Sequence, residues 1–244
     1  MTGNLLEVDG VSRSFGSVRA VREASFAVAE NSVTALIGPN GSGKTTLFNV
    51  ITGYLGADSG TVRFAGRDVT GHAPAALYRQ GLSRTFQQAR VFSHLTVQEN
   101  LVVASGFRWR QLFTRRSTAS DRVRAAELLE EFRLGPVADL YASELSYGQR
   151  KLLEFAAVLM SNPRLVMLDE PTAGVNPVLV ETMERHIRAL NAKGITFLIV
   201  EHDMNFVMRL CDPVIVLDQG HPIFTGAPAE VQRNPLVLDA YLGA

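Results

Sequence analysis

Gly38-Pro39-Asn40-Gly41-Ser42-Gly43-Lys44-Thr45 is the stretch on which the reading of this sequence turns. It fits the pattern G-x-x-x-x-G-K-[ST], and its flanks are those the pattern requires. The β-branched run Val33–Ile37 reads as a buried strand directly before it, and a helical pattern over 45–52 follows. The glycines let the main chain curl until its N–H groups face a common centre, and the helix adds the positive end of its dipole. The segment 38–46 therefore predicts a cradle for phosphate oxygens, built from Gly38, Asn40, Gly41, Ser42, Gly43 and Thr46. In that chemistry Lys44 reaches the β- and γ-phosphates of ATP, and the Thr45 hydroxyl ligates Mg²⁺.

Working outward, further short apolar runs at 165–168, 196–200 and 214–217 read as buried parallel strands. Helical patterns at 121–132, 148–160 and 178–191 alternate with them, which predicts an α/β fold around a mostly parallel sheet. The first thirty residues and 60–68 show strand-like segments broken by glycine, which predicts an antiparallel patch attached to that sheet. Residues from about 87 to 160 are rich in helix formers and read as an inserted helical subdomain. The expectation is one domain over 1–244, with its core in about 1–86 and 161–244. The last stretch, 226–244, carries Pro228, Pro235 and a short apolar helix pattern, and reads as a C-terminal appendage.

A phosphate loop needs a carboxylate opposite it to hold the metal, and the apolar run 165–168 ends in Asp169-Glu170. Asp169 at the strand end is the expected Mg²⁺ ligand. Glu170, one residue on, is expected to project toward the γ-phosphate and orient or deprotonate the attacking water. A pair of acids that merely terminates a strand is the structural alternative.

Leu145-Ser146-Tyr147-Gly148-Gln149, about twenty residues upstream of Asp169-Glu170, resembles the LSGGQ signature of ATP-binding cassette (ABC) ATPases. The phosphate loop, Leu168-Asp169-Glu170-Pro171 and a lone His202 beyond the next strand follow that family's order along essentially the whole chain. The resemblance implies a phosphate-loop NTPase (RecA-like) core carrying an antiparallel β patch and a helical subdomain, the ABC ATPase fold. It implies that Phe15, in Ser14-Phe15-Gly16, stacks on adenine, and that Gln87, in Arg84-Thr-Phe-Gln87, contacts Mg²⁺ and the attacking water. Ser146, Tyr147, Gly148 and Gln149 would face the γ-phosphate held by a second subunit, so ATP would be sandwiched in a dimer. Ala173, Gly174 and Asn176 resemble the loop that passes between the two sites, and His202 resembles the histidine that hydrogen-bonds the γ-phosphate. Tyr147 departs from the family's usual glycine at the signature's third position, although the backbone donors at Ser146 and Gly148 are retained.

Four segments together look like the ATPase of branched-chain amino acid importers, the LivG type: Arg84-Thr-Phe-Gln, Leu-Ser-Tyr-Gly-Gln, Asp-Glu-Pro-Thr-Ala-Gly-Val-Asn-Pro and Val200-Glu201-His202-Asp203-Met204; the ending Asn234-Pro-Leu-Val-Leu-Asp-Ala-Tyr241-Leu-Gly243 is similar too. That resemblance implies a second, related or identical ATPase subunit, two separate membrane permeases and, indirectly, a substrate-binding protein. It implies a peripheral position on the cytoplasmic face of the inner membrane. Related ATPases of urea importers or lipopolysaccharide exporters share much of this signature, and so remain open readings. Soluble ABC ATPases acting on DNA or ribosomes resemble tandem cassettes or carry long coiled coils, which this chain lacks.

Bulk properties bound these readings. The 244 residues carry 24 Lys and Arg against 24 Asp and Glu, so no overall field draws the chain to nucleic acid, and no nucleic-acid partner is expected. Glu7 and Asp9 interrupt any signal-like apolar core at the N-terminus, and no run approaches the roughly 18 apolar residues of a membrane span. The single cysteine, Cys211, excludes an internal disulfide and reads as a small buried hydrophobe. The basic-aromatic stretch 107–116 reads either as a permease- or headgroup-facing surface or as a solvated segment.

Overall fold

Two sheets with different hydrogen-bonding patterns organise the computed structural model, which describes residues 3–85, 91–105 and 119–242. The first is antiparallel, with strand order β2-β1-β4-β5: β1 is Asn4–Phe15, β2 Val18–Ala29, β4 Ser59–Phe64 and β5 Arg67–Asp68. The second has order β10-β9-β3-β8-β7-β6, from β3 (Val33–Ile37), β6 (Leu82–Arg84), β7 (Leu165–Asp169), β8 (Thr196–Val200), β9 (Val214–Asp218) and β10 (His221–Gly226). Its strands run parallel except β10, which pairs antiparallel with β9 at the edge.

The antiparallel patch thus forms its own sheet rather than extending the parallel one. The glycine breaks in its sequence are irregularities within long strands: Gly10 has φ 59 where the β1–β2 register shifts. β6 and β10 carry no strand signal in the sequence. β6 has three residues, two of them polar, and β10 contains Pro222, tolerated because it lies on an edge strand.

Strands β3, β7 and β8 are buried at every position because both faces of their sheet are covered, and this is why their sequences are apolar apart from Thr34, Asp169 and Thr196. Alternate residues serve different layers. Leu36, Met167, Leu198 and Ile215 pack with Leu47, Phe48 and Ile51 of α1 (Lys44–Ile51) and with Leu6, Val62 and Phe64 of the antiparallel sheet. Ile37, Leu168, Ile199 and Val216 face the other way. Helix α1 therefore lies between the two sheets, and the phosphate loop at its N-terminus is held from both sides.

On the far face lie α3 (Val97–Ala104), α4 (Ala119–Glu131), α5 (Tyr147–Val158), α6 (Pro177–Ala192) and α7 (Met204–Leu210), sharing one apolar cluster with the sheet. A relay of rings joins helices to sheet: Phe132 meets Phe155 of α5 edge-on at 5.3 Å, and Phe155 meets Phe197 of β8 at 6.4 Å. Burying each such ring contributes roughly 1.5–3 kcal/mol, more than the propensity differences among ordinary helix residues, so packing holds α5 in place. Helix α2 (Pro74–Gln80) precedes β6, and α8 (Pro228–Val231) and α9 (Pro235–Leu242) form the C-terminal appendage. Cys211 is buried, and that burial pushes its thiol up to about 12, so it packs as a hydrophobe. Among the described residues no helix is long and apolar enough to cross a membrane.

Candidate nucleotide site

The site lies at the carboxyl ends of three neighbouring parallel strands, where open α/β sheets bind ligands. Leu36 of β3 pairs with Val200 of β8, which pairs with Asp169 of β7, so three strand ends stand in register. From them the chain continues into the loop at Gly38, into Glu170 and into His202.

The loop's shape depends on two glycines. A Cβ on Gly38, at φ 151, would stand 2.0 Å from the Leu217 carbonyl oxygen, and one on Gly43, at φ 97, would stand 2.2 Å from that of Ala20. Both approaches are to rigid backbone, so no side chain fits there. Lys44 opens α1 and is buried, its Nζ donating to the carbonyls of Gly38 at 2.7 Å and Pro39 at 2.8 Å. Burial lowers the Lys44 pKa, and the negative charge of Glu170 opposes that shift. Ser42 is buried beside it, while Asn40, Gly41 and Thr45 are exposed and Thr46 is half-buried. Helices α3, α5, α6 and α7 are capped by the side chains of Thr96, Ser146, Asn176 and Asp203, whereas α1, like the short α2 and α8, has no side-chain cap among the described residues. Its first-turn N–H groups are suited to an anion.

Asp169 is buried, with its backbone N–H donating to the Thr85 hydroxyl at 3.2 Å. Burial raises its pKa, opposed first by the Arg84 guanidinium, whose Nη2 lies 3.6 Å from Oδ2. Arg84 ties this strand to α1: its Nη1 donates to Asn49 Oδ1 and Thr52 Oγ1, each at 2.8 Å, and its plane lies over the rings of Phe48 and Tyr54. Arg84→Ala would remove from buried Asp169 the strongest of the positive charges that favour its carboxylate, with Lys151 remaining, at an expected cost of about 3 kcal/mol at neutral pH. Without Arg84 the folded-state pKa of Asp169 rises further above its unfolded value, so the folded variant binds more protons than the unfolded chain. Its stability deficit should therefore shrink in acid and grow as pH rises through the carboxylate range. Denaturant unfolding of the variant and the parent at several pH values reads this directly.

Glu170 has a left-handed backbone, φ 47, fastened by its N–H to the Val200 carbonyl at 2.9 Å. Non-glycine residues adopt this conformation at a cost and tend to do so where function requires it. Its Oε2 lies 3.1 Å from Nε2 of His202, which is half exposed. Phe15 is exposed at the end of β1 with the Arg13 guanidinium 5.2 Å from its ring centre. Gln87 and the stretch 107–116 lie outside the described residues.

Ser146, Tyr147, Gly148 and Gln149 start α5, and two of them engage each other: Gln149 N–H donates to Ser146 Oγ at 3.3 Å, and Ser146 N–H to Gln149 Oε1 at 2.9 Å. The S-x-x-Q spacing is a capping-box pattern legible in the sequence. The Tyr147 hydroxyl donates to the Ala173 carbonyl at 3.1 Å, and Gly174 lies against the same ring, so the signature segment touches the loop after Glu170. The Asn176 side chain caps α6.

A model of the ABC transporter family matches residues 21–173, which contain the phosphate loop, the signature segment and Asp169-Glu170. This chain belongs to the ABC transporter ATP-binding family. A second model, of branched-chain amino acid ATP-binding cassette transporters, matches residues 221–244. Within the family, the chain is 39% identical to the high-affinity branched-chain amino acid transport ATP-binding protein BraF of Pseudomonas aeruginosa, over 100% of this chain and 99% of that protein. It is 40% identical to LivG of Salmonella typhimurium, a protein of the same description, with the same coverage. The ADP conformation of an ATP-binding cassette of an ABC transporter superposes with a TM-score of 0.90 at 38% identity, covering 100% of both chains.

Three members of the site escaped the sequence reading. Arg84 and Glu201 stand inside quoted motifs, but nothing in their spacing tells what they touch. Tyr241 of α9 lies beside the loop: burial raises its phenol pKa, and a hydrogen bond with the Gly38 backbone opposes the rise. That contact spans most of the chain and has no local signal.

Proposed function

We propose that this chain hydrolyses Mg²⁺·ATP as the energy-supplying subunit of an importer for branched-chain or related amino acids. The observation that carries the ATPase reading is the alignment of Lys44, Asp169 and the Glu170–His202 pair at three adjacent strand ends. The amino-acid reading is supported by the family match over 221–244 and by the transport function in the names of the full-length relatives.

In this reading the loop amides and Lys44 grip the terminal phosphates, and Phe15 offers a flat face to the base. Glu170 accepts a proton from the water that attacks the γ-phosphorus as the bond to the bridging oxygen breaks. His202, beside Glu170, donates to the γ-phosphate and holds it in line. The donor set suits Mg²⁺: Thr45 and Asp169 offer hard oxygens, and this ion characteristically takes one or two protein ligands beside phosphates and water. Bound there, it would neutralise charge on the phosphates. Gln87 is assigned to the same metal and water.

A second ATPase subunit is proposed to present its Ser146–Gln149 segment to the γ-phosphate, with the 173–176 loop between the sites. Residues of about 87–160 are proposed as the subdomain that follows the permeases, with the core in about 1–86 and 161–244. The chain would then sit on the cytoplasmic face of the inner membrane through its permease partners. Affinity isolation of the intact membrane complex should co-purify two permeases and a second ATPase, and a branched-chain amino acid with its binding protein should stimulate the ATPase activity. Stimulation by urea instead, or recovery without any membrane protein, would reject the importer assignment.

A further inference from the structure

Glu201 is the least exposed charged residue among those described, at 1%, and the mechanism above gives it no task. Its two carboxylate oxygens serve two different loops. Oε1 accepts from the Thr172 N–H at 2.8 Å and from the Thr172 hydroxyl, both on the loop leaving β7. Oε2 accepts from the N–H groups of His202 at 2.9 Å and Asp203 at 3.2 Å, on the loop leaving β8. Between those loops stands the Glu170–His202 contact of 3.1 Å.

We propose that Glu201 is a positioning residue for hydrolysis, a planar staple that sets the spacing of Glu170 and His202. A buried carboxylate is costly to desolvate, and an apolar residue of similar volume often stabilises a core as well, so stability alone is a weak reason for an ion here. What an apolar residue lacks is two rigidly linked acceptors, each charge-assisted, that hold two backbone segments at a fixed separation. The Thr172 anchor lies two residues after Glu170, and the His202 anchor is the N–H of the histidine itself. A shift in either loop therefore moves one member of the pair relative to the other. Gln at this position would turn one oxygen into an NH₂ group facing donors, releasing one of the two loops. Misplacement of reacting groups by about 1 Å can cost about 10²-fold in rate.

This inference rests on the roles given above to Glu170 and His202. The test is a double-mutant cycle in the full-length chain, read by single-turnover ATP hydrolysis and by KM for ATP. Glu201→Gln should lower kcat by about 10²-fold with KM little changed, the pattern of a group acting on the transition state. In a His202→Ala background the same change should cost less than about threefold, because the residue it positions is gone. An equal factor in both backgrounds, or an effect on KM alone, overturns the proposal. Should Glu201→Gln lack a cooperative unfolding transition, Thr172→Val removes one of the four bonds and carries the same cycle, with about a tenfold loss expected. Unchanged turnover in Glu201→Gln, with Glu170→Gln and His202→Ala both strongly slowed but measurable, sinks the staple alone. Full turnover in Glu170→Gln or His202→Ala sinks the reading of the site and the staple with it.

Discussion

Replacing Glu170 by Gln is expected to leave ATP binding intact and to lower hydrolysis by at least about 10²-fold, the contribution of a positioned general base. That factor corresponds to about 2.7 kcal/mol of transition-state stabilisation. The substitution is well suited to the question because Gln has nearly the same shape and can still hydrogen-bond His202, which lies 3.1 Å from the Glu170 carboxylate. The left-handed backbone at φ 47 stays as strained as before, so folding should be little affected. Equilibrium binding of ATP alongside steady-state phosphate release separates the two effects. Unchanged hydrolysis would take Glu170 out of the chemistry.

Lys44→Ala should do more, weakening nucleotide affinity and turnover together. Its ammonium bridges the carbonyls of Gly38 and Pro39 at the mouth of the loop, where phosphate oxygens would compete for the same donors. Loss of one preorganised donor to developing charge typically costs about 10²–10³-fold in kcat, and the lost affinity adds to that. Lys44→Arg should not rescue, because a planar fork cannot replace a compact ammonium in a cradle this narrow. Nucleotide titration and turnover of both variants decide the point. Retention of full affinity and rate in Lys44→Ala would dismiss the phosphate-loop assignment.

Much of this molecule is legible in its sequence because its key features are local. The glycines around Lys44, the acids ending an apolar run at Asp169 and the parallel strands buried on both faces all leave their mark within a few residues. The separate antiparallel sheet shows in the sequence only as a patch because Gly10 looks like a chain break when it marks an irregularity in a twelve-residue strand. Edge strand β10, with Pro222, does not look like a strand at all. Within the site, the invisible parts are non-local: Arg84 meets Asp169, Tyr147 meets Ala173, and Glu201 ties Thr172 to His202. An acidic residue at the end of a strand ordinarily signals solvent, and only the fold turns it inward. Gln149 is a case of partial legibility, since the five-residue signature also contains a simpler S-x-x-Q helix cap.

The carbonyls of Leu217 and Ala20 press against Gly38 and Gly43 from outside the loop. Neighbouring strands thus mould its path, and little ordering entropy is left to lose when a nucleotide arrives. Mutation, in turn, has almost no room to adjust grip at those two positions. Evolution of a tighter or looser hold on nucleotide would have to act through the surroundings, such as the base contact proposed for Phe15 or the cap proposed for a second subunit. Cassettes built this way would then diverge in cargo and partner while the phosphate contacts stay nearly constant.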